Sequence, residues 1–192
     1  MTTIQEFNQI DGRISSLYHA AALKMGLSDS EFRILYTLAV NATGYLQSAL
    51  REATGMGRST VNSALKKLER EGILTLSPGS GRHTCVSLTA QGHRLADRTV
   101  CRLICLEDRI YAGWTSEEQA LLLRLNRDFT EKLEAIAAMS QEDARAVHPP
   151  RSKKGHGRRS LSCPFLCLLT ARSRRPWGCR QPETRRCRCA WW

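Results

Sequence analysis

Apolar residues recur at intervals of three and four in the N-terminal part of the chain, a spacing typical of helices with one buried face. A first helix is predicted over about residues 4–25, with an apolar face formed by Ile4, Phe7, Ile10, Ile14, Leu17, Tyr18 and Ala21. Gly26 follows its last turn, where glycine commonly ends a helix. Ser28 and Glu31 have the spacing of a capping box, so a second helix is predicted to begin there and to end near residues 41–44.

Two shorter helices are predicted next, separated by a turn that contains glycine. The third helix covers about residues 46–53 and is stopped by Gly55. The fourth covers about residues 58–71, with Gly57 as its N-cap and Gly72 as its stop. Its buried face is predicted to consist of Val61, Ala64, Leu65 and Leu68. Two helices joined in this way match a helix-turn-helix.

The periodicity then changes from helical to β-type. Residues 73–76 and 83–88 are two short β-type runs joined by a turn rich in glycine, which predicts a β-hairpin, the wing of a winged helix. Residues 90–112 return to helical spacing and predict one long helix. A second capping box at Thr115 and Glu118 opens the last helix, whose apolar positions are Leu121, Leu122, Leu125, Phe129, Leu133 and Ile136. The expected fold class is mainly α with a small β-hairpin.

Net charge gives less information about function than it first suggests. The chain has 192 residues and a formal charge of +11, which favours an anionic partner. However, residues 147–192 contain 12 Lys or Arg and one acid, Glu183, whereas residues 1–146 contain 17 basic and 17 acidic residues. Nucleic acid binding must therefore be argued from local charge. Residues 51–82 carry six basic and three acidic side chains, so the helix-turn-helix is locally positive.

The N-terminal sequence has no basic segment followed by an apolar run, and no apolar stretch reaches the length of a membrane span. We therefore expect a cytoplasmic protein without a membrane partner. The thiols of Cys85, Cys101 and Cys105 are then expected to be reduced.

The order of the predicted elements resembles the multiple antibiotic resistance regulator (MarR) family of bacterial winged helix-turn-helix repressors. Short motifs carry the resemblance over about residues 7–139: Leu27-Ser28, the pattern from Gln47 to Gly55, Arg58-Ser59-Thr60-Val61, Glu71-Gly72-Ile73, and the pattern from Gly81 to Gly92. Two residues depart from the family pattern, Arg51 in place of a small residue and Thr54 in place of leucine. Both are expected to lie in the helix-turn-helix core.

The resemblance implies a domain spanning residues 1–146 and a biochemical role as a DNA-binding regulator. Its helix-turn-helix covers about residues 46–72 and its wing about residues 73–88. The N- and C-terminal helices, at about 4–25 and 90–139, are implied to be dimerisation helices.

The fourth helix supplies most of the candidate DNA contacts, because the second helix of a helix-turn-helix lies in the major groove. The predicted DNA-binding residues are Arg58, Ser59, Thr60, Asn62, Ser63, Lys66 and Arg82. Asn62 has the chemistry to pair bidentately with adenine. Arg82, at the hairpin tip, resembles the wing arginine of the family, which enters the minor groove. Taken alone, the polar face is also typical of an ordinary solvated surface; the order of the elements favours DNA contact.

The terminal helices carry more apolar surface than a small body is expected to cover. The resemblance implies a homodimer in which they interlock, bound to a pseudo-palindromic operator in double-stranded DNA. Relatives commonly release DNA when a small, often aromatic effector binds. Tyr18, Tyr36 and Tyr111 are candidates for lining such a pocket, although they are equally consistent with core residues. No cofactor is expected.

The spacing of the cysteines is consistent with buried packing or with a redox switch, and it argues against a zinc site. Cys101 and Cys105 lie four residues apart on one helix, and buried apolar packing is favoured over a redox switch. The C-x3-C and C-x-C spacings beyond residue 160 do not match a paired zinc-ligand module, so no metal is expected. Residues 147–192 lack helical or strand periodicity and are expected to be disordered. Their abrupt change in composition suggests an out-of-frame reading; sequencing the 3′ end of the coding region tests this, and a confirmed frame through Trp192 would refute it.

Two other functions stay open at this point. One is a winged helix used for protein–protein assembly, which the neutral charge of residues 1–146 suits and which predicts weak, salt-insensitive DNA binding. The other is a cysteine-based redox-sensing regulator. His19 and His93 have no arrangement with Ser, Cys or carboxylates that indicates catalysis, and the sequence contains no phosphate-binding glycine loop. The chain is therefore not expected to be an enzyme.

Overall fold

The computed structural model describes residues 3–41, 45–79 and 83–147, with side chains described as far as residue 139. The predictions made for Arg82 and for residues 148–192 lie outside the described residues. The described part forms the elements α1 (Ile4–Lys24), α2 (Asp29–Val40), β1 (Tyr45–Leu46), α3 (Gln47–Thr54), α4 (Arg58–Arg70), β2 (Leu74–Pro78), β3 (Thr84–Leu88), α5 (Ala90–Arg98), α6 (Val100–Ala112) and α7 (Ser116–Val147). The expected fold class, mainly α with a small β-hairpin, is confirmed.

Two compact units divide the described residues, the first ending at Leu106 and the second beginning at Glu107. The hydrophobic core lies in the first unit, where it draws on α2, α3, α4, the strands and the start of α6. Six of its members have no exposed surface: Ala22, Ile34, Leu35, Leu50, Val86 and Val100. The core therefore forms around the helix-turn-helix and the wing.

The predicted helix boundaries rest on capping interactions that the structure contains. The Ser28 hydroxyl accepts a hydrogen bond from the Glu31 amide at 3.4 Å, and the Glu31 carboxylate accepts one from the Ser28 amide at 2.8 Å. At the start of α7, the Thr115 amide donates to the Glu118 carboxylate at 2.8 Å, and the Glu118 amide donates to the Thr115 hydroxyl at 3.2 Å. Both capping boxes are thus confirmed.

Glycines end the two helices of the helix-turn-helix. Gly55 and Gly72 have φ angles of 63° and 69°, in the left-handed region that favours glycine. They follow α3 and α4, so the stops predicted at both positions are confirmed.

The strands form a three-stranded antiparallel sheet in the order β1-β3-β2. Leu74 pairs with Leu88 and Pro78 with Thr84, which makes β2 and β3 the expected hairpin. The sequence did not indicate β1, because two residues are too short to show an alternating pattern. Tyr45 and Leu46 nevertheless pair with Val86 and Cys85.

The prediction of one helix over residues 90–112 is wrong, because Thr99 separates α5 from α6. Its φ and ψ angles are −119° and −96°, outside the helical region. The Thr99 hydroxyl donates to the carbonyl oxygen of Leu95 at 2.6 Å. A threonine hydroxyl that donates to a backbone carbonyl one turn earlier offers that carbonyl an alternative to the regular helical hydrogen bond. The last helix also extends beyond the expected limit of residue 139, to Val147.

Arg51 and Thr54 differ in their positions. Thr54 has no exposed surface, and its hydroxyl donates to the Leu50 carbonyl oxygen at 2.8 Å, so its polar group is satisfied inside the core. Arg51 is exposed. The expectation that Arg51 lies in the core is therefore wrong, since α3 turns the face with Leu50 and Thr54 inward.

The expectation of reduced thiols is also wrong in this structure. Cys85, Cys101 and Cys105 are disulfide-bonded. Of the two cysteines for which the sequence favours buried packing, Cys101 is buried and Cys105 is half-buried; Cys85 is buried as well. Sequence spacing identifies only neighbours along the chain and gives no account of sulfur atoms that folding brings together.

Gly92, in the first turn of α5, allows that helix to approach the start of the wing closely. A Cβ atom at this position would lie 2.0 Å from the carbonyl oxygen of Ile73. That oxygen accepts hydrogen bonds from the amide of Thr89 at 3.0 Å and from its hydroxyl at 3.1 Å. The N-cap of α5 and the residue preceding β2 are thereby held together, which fixes the base of the wing.

Candidate nucleic-acid interface

Helix α4 is held in the first unit by one apolar stripe. Val61, Leu65 and Leu68 are each about 1% exposed, and they pack with Ala64 into the core. The stripe lies against α2 and β2. Burial of large aliphatic side chains stabilises such packing by about 1.5–3 kcal/mol for each side chain. The rotation of α4 about its axis is therefore fixed by its own sequence.

The candidate contact residues on α4 all lie outside this stripe, with Ser59, Ser63 and Lys66 on the opposite side. Together they form what we call the polar face of α4: Arg58, Ser59, Thr60, Asn62, Ser63 and Lys66. Five of the six are exposed, and Asn62 is half-buried. Arg70, one turn beyond Lys66, is exposed too. The structure thus brings six of the seven sequence-predicted contact residues onto one helix; the seventh, Arg82, lies outside the described residues.

A buried carboxylate connects α4 to the beginning of α2. Glu31 is 3% exposed, and its side chain accepts hydrogen bonds from the amide and the hydroxyl of Ser28 at 2.8 and 2.7 Å. Its other oxygen pairs with the ammonium group of Lys67. Burial raises the pKa of Glu31, but the bonds from Lys67 and Ser28 outweigh it and hold that pKa below the ordinary value.

Lys67 is about half exposed, but its ammonium group is paired with Glu31 rather than available to a ligand. Its hydrogen bond with Glu31 raises the pKa of the ammonium group, and Glu71 lies 3.9 Å away on the same helix. The spacing of residues in α4 does not reveal this ion pair, since the partner Glu31 lies in α2. The cations of α4 outside this ion pair are Arg58, Lys66 and Arg70.

One contact in the helix-turn-helix was missed entirely by sequence reasoning. The side-chain nitrogen Nε2 of Gln47, the first residue of α3, donates to the side-chain oxygen Oδ1 of Asn62 at 2.7 Å. Both side chains are half-buried. The signal available in the sequence was weak: a glutamine at the start of the first helix and an asparagine in the first half of the second.

The turn between α3 and α4 is attached to α2 by a further bond. The Arg33 guanidinium donates to the carbonyl oxygen of Thr54 at 3.2 Å. That carbonyl belongs to the last residue of α3, where the helix leaves its final carbonyl groups without intrahelical donors. Together with the Glu31–Lys67 pair, this bond fixes both helices of the motif to α2.

The wing is regular up to its tip. The Gly79 amide donates to the His83 carbonyl oxygen at 2.7 Å, which closes the hairpin just before the turn. Arg82 falls between these two residues in the sequence. Its expected contact with a minor groove therefore remains a prediction.

The three tyrosines proposed for an effector pocket differ in burial and do not all contact the same aromatic ring. Tyr36 is 3% exposed and belongs to the core, where its ring centroid lies 5.9 Å from that of Phe32. Tyr18 is half-buried and lies 6.1 Å from the same ring. In the second unit, the ring centroids of Tyr111 and Trp114 lie 5.6 Å apart. Tyr36 is thus accounted for as a core residue.

A shallow depression in the second unit has a different lining from the one expected of an aromatic pocket. Its volume is about 460 Å³, and it is lined by Ala120, Leu123, Arg124, Arg127, Asp128 and Glu131. Charged side chains dominate, and none of the three tyrosines contributes.

Within residues 3–41, 45–79 and 83–139, no cluster of three or more His, Cys, Asp or Glu side chains could hold a metal ion. None of the helices in the described part of the chain is both long enough and apolar enough to cross a membrane.

Comparison with known proteins gives consistent matches. Residues 25–83 match the sequence profile of the MarR family. The structure is similar to a MarR-family transcriptional regulator from Silicibacter pomeroyi, with 27% identity over 65% of this chain and 86% of that one and a TM-score of 0.54. No curated protein sequence matches the chain significantly.

Two further solved structures show the same fold at lower identity. One is NMB1585, a MarR-family regulator from Neisseria meningitidis, with 21% identity, coverage of 74% of this chain and 99% of that one, and a TM-score of 0.60. The other is the transcription regulator MarR from Oenococcus oeni PSU-1, with 20% identity, coverage of 67% and 99%, and a TM-score of 0.57.

Proposed function

We propose that the chain is a transcriptional regulator of the MarR type, a sequence-specific repressor that binds an operator as a homodimer. The match of residues 25–83 to the MarR family profile and the similarity to the Silicibacter pomeroyi regulator support this proposal. The observation that carries the proposal is the orientation of α4. Its apolar stripe is buried and its polar face is exposed, which is the arrangement a recognition helix needs to enter the major groove.

The residues of the polar face divide by chemistry. Arg58 and Lys66 are suited to phosphate groups or guanine, because cationic side chains neutralise phosphates and also reach the guanine edge. Ser59, Thr60 and Ser63 have hydroxyl groups that donate or accept at base edges. We assign Asn62 to base recognition. Arg82 is assigned to the minor groove beside the half-site, where a narrow groove attracts arginine.

The exposed apolar residues of the terminal helices support the homodimer. In α1, Ile10, Leu17 and Leu23 are each more than half exposed. In α7, Leu125 and Leu133 are about half exposed. Apolar side chains repeated along a helix in this way mark an interaction surface, and a second copy of the chain is the occupant we propose.

We propose that the bound dimer represses by blocking polymerase at a promoter, in the cytoplasm. A small aromatic effector would release it by favouring a dimer shape whose α4 helices no longer match the half-site spacing. Tyr18 and Tyr111 are the candidate lining residues that remain, since both are half-buried. A screen of small aromatic acids for loss of operator binding tests this part of the proposal.

The test of the DNA-binding function is selection from random duplex DNA with the full chain. We expect enrichment of an inverted repeat whose half-sites are about 10–10.5 base pairs apart, centre to centre. Binding to the selected site should weaken steeply between about 50 and 200 mM salt, because phosphate contacts release counterions. Failure to enrich any sequence, with weak binding that salt does not change, would favour the assembly module instead.

The homodimer is tested by a matched pair of variants in α1. Leu17→Glu places a charge at an exposed apolar position, and Ser16→Glu places the same charge at the exposed polar position beside it. Light scattering after size exclusion is expected to show a monomer for Leu17→Glu and a dimer for Ser16→Glu. A dimer of unchanged stability in Leu17→Glu would remove Leu17 from the interface.

A further inference from the structure

The hydrogen bond between Gln47 and Asn62 joins the two helices of the helix-turn-helix on the side where the polar face begins. The donor is the side-chain nitrogen Nε2 of Gln47 and the acceptor is the side-chain oxygen Oδ1 of Asn62, 2.7 Å apart. Asn62 is the half-buried member of the otherwise exposed polar face. It is thus the polar-face residue whose described side-chain partner lies in α3.

An isolated asparagine on a helix surface is poorly ordered for base recognition. Its terminal torsion is broad, and its oxygen and nitrogen ends exchange by a half-turn of the amide. Only one of those two orientations presents an acceptor and a donor in the order that a given base edge requires. A hydrogen bond from α3 to the oxygen selects one orientation before any ligand arrives.

The bond leaves Asn62 with the groups that adenine requires. A side-chain carbonyl oxygen has two acceptor positions, and Gln47 occupies one of them. The second acceptor position and both N–H donors stay available. Adenine presents a donor at N6 and an acceptor at N7 in the major groove, which match an asparagine carbonyl and amide respectively.

We infer that Gln47 is a positioning residue that orients the Asn62 amide for an adenine in each half-site. The inference rests on the proposed DNA-binding function and deepens it, because it assigns one base and one intramolecular partner to a single side chain. Gln47 acts on specificity through Asn62, and its contribution depends on Asn62 being present.

The experiment compares selected DNA sequences for the wild-type chain, three single variants and the double variant that combines Gln47→Met with Asn62→Ala. Gln47→Met keeps the length of the side chain and removes its hydrogen-bonding atoms. Asn62→Ala removes the proposed base contact. Gln91→Met is the control for the chemical change, because exposed Gln91 also loses a side-chain hydrogen bond, a longer one of 3.4 Å to the backbone carbonyl of Glu71. Thermal unfolding of each variant, followed by circular dichroism, establishes that it is folded.

We expect an adenine preference at one position of each half-site in the wild type, lost in Asn62→Ala. Gln47→Met should relax the preference at that same position and at no other, with about a 5-fold weaker affinity for the best wild-type site, the usual effect of one hydrogen bond. Gln91→Met should keep the wild-type profile. The double variant should bind no more weakly than Asn62→Ala, because the two residues act as one unit.

If Gln47→Met lowers the unfolding temperature, Gln47→Glu provides the second measurement. A carboxylate accepts but does not donate, so it retains a bond to Asn62 only by turning the amide around. Its negative charge should weaken binding to all sequences alike, while the base preference changes at the Asn62 position alone.

The outcomes separate the inference from the proposed function. If the wild type enriches no sequence, the proposed function fails, and the inference fails with it. If the wild type selects an operator but Gln47→Met and Gln47→Glu both keep its profile, the inference alone is overturned. Additive losses in the double variant would also overturn it, since they would show that Gln47 contacts DNA independently of Asn62.

Discussion

Replacing Gly92 by alanine tests the claim that α5 approaches the base of the wing too closely for any side chain. The new Cβ would lie 2.0 Å from the Ile73 carbonyl oxygen, whereas real Cβ atoms essentially never come within 3.0 Å of such an atom. A separation of at least about 1 Å must therefore open between α5 and Ile73. Because the obstructing atom belongs to the backbone, no side-chain rotation relieves the contact.

The cost follows from what that movement disrupts. The Ile73 oxygen accepts two hydrogen bonds from Thr89, each worth about 1 kcal/mol. Overpacking adds about 1–3 kcal/mol. Alanine is better than glycine in a helix by about 1 kcal/mol, which offsets part of the loss. The expected net decrease in the free energy of unfolding is about 2–4 kcal/mol, a large share of the roughly 5–15 kcal/mol typical of a domain.

Gly12 supplies the matched control, since it is also a helical glycine. A Cβ atom there would meet nothing within 4 Å, so Gly12→Ala should leave stability unchanged or raise it by up to about 1 kcal/mol. Urea unfolding followed by circular dichroism, at one protein concentration, measures both variants. A midpoint for Gly92→Ala equal to or above that of the wild type would refute the close approach, as would the same shift in both variants.

Three further outcomes are expected. Lys66→Ala should make the slope of log affinity against log salt shallower by about 0.9 for each subunit, or about 1.8 for the proposed dimer, in anisotropy titrations, while Lys132→Ala in α7, whose ammonium pairs with Asp128, should leave it unchanged. Because the folded-state pKa of Glu31 lies below its ordinary value of 4.5, the stability of the wild type should fall as the pH drops below about 4.5. Glu31→Gln should be less stable near neutral pH, and its stability should depend less steeply on pH in the acid range. An equally steep dependence in Glu31→Gln would contradict the assignment. Gly55→Ala should lower the urea midpoint through a cost of about 1 kcal/mol, since φ there is 63°.

The features that sequence predicted well are those that depend on neighbouring residues. The buried stripe of α4 follows from a spacing of three and four, and both capping boxes follow from a hydroxyl residue three positions before a glutamate. The glycine stops at Gly55 and Gly72 follow from backbone stereochemistry alone. Each of these signals is complete within a few positions of the chain.

The features that escaped prediction depend on residues brought together by folding. Glu31 and Lys67 lie in different helices, far apart in sequence, so no local pattern indicates their ion pair. The same holds for Gln47 and Asn62, which come from different helices. The break at Thr99 has a local cause, but the surrounding sequence keeps a helical spacing that conceals it.

The ion pair between Glu31 and Lys67 has a consequence for re-engineering the DNA preference proposed for this chain. Ser59, Ser63 and Lys66 are exposed and lie apart from the apolar stripe, so a library randomised at these three positions should remain mostly folded. Randomising Lys67 as well would strand a carboxylate in the protein interior in nearly every clone. Selections that include this codon would therefore recover lysine for reasons of folding, and its apparent invariance would be mistaken for a base contact.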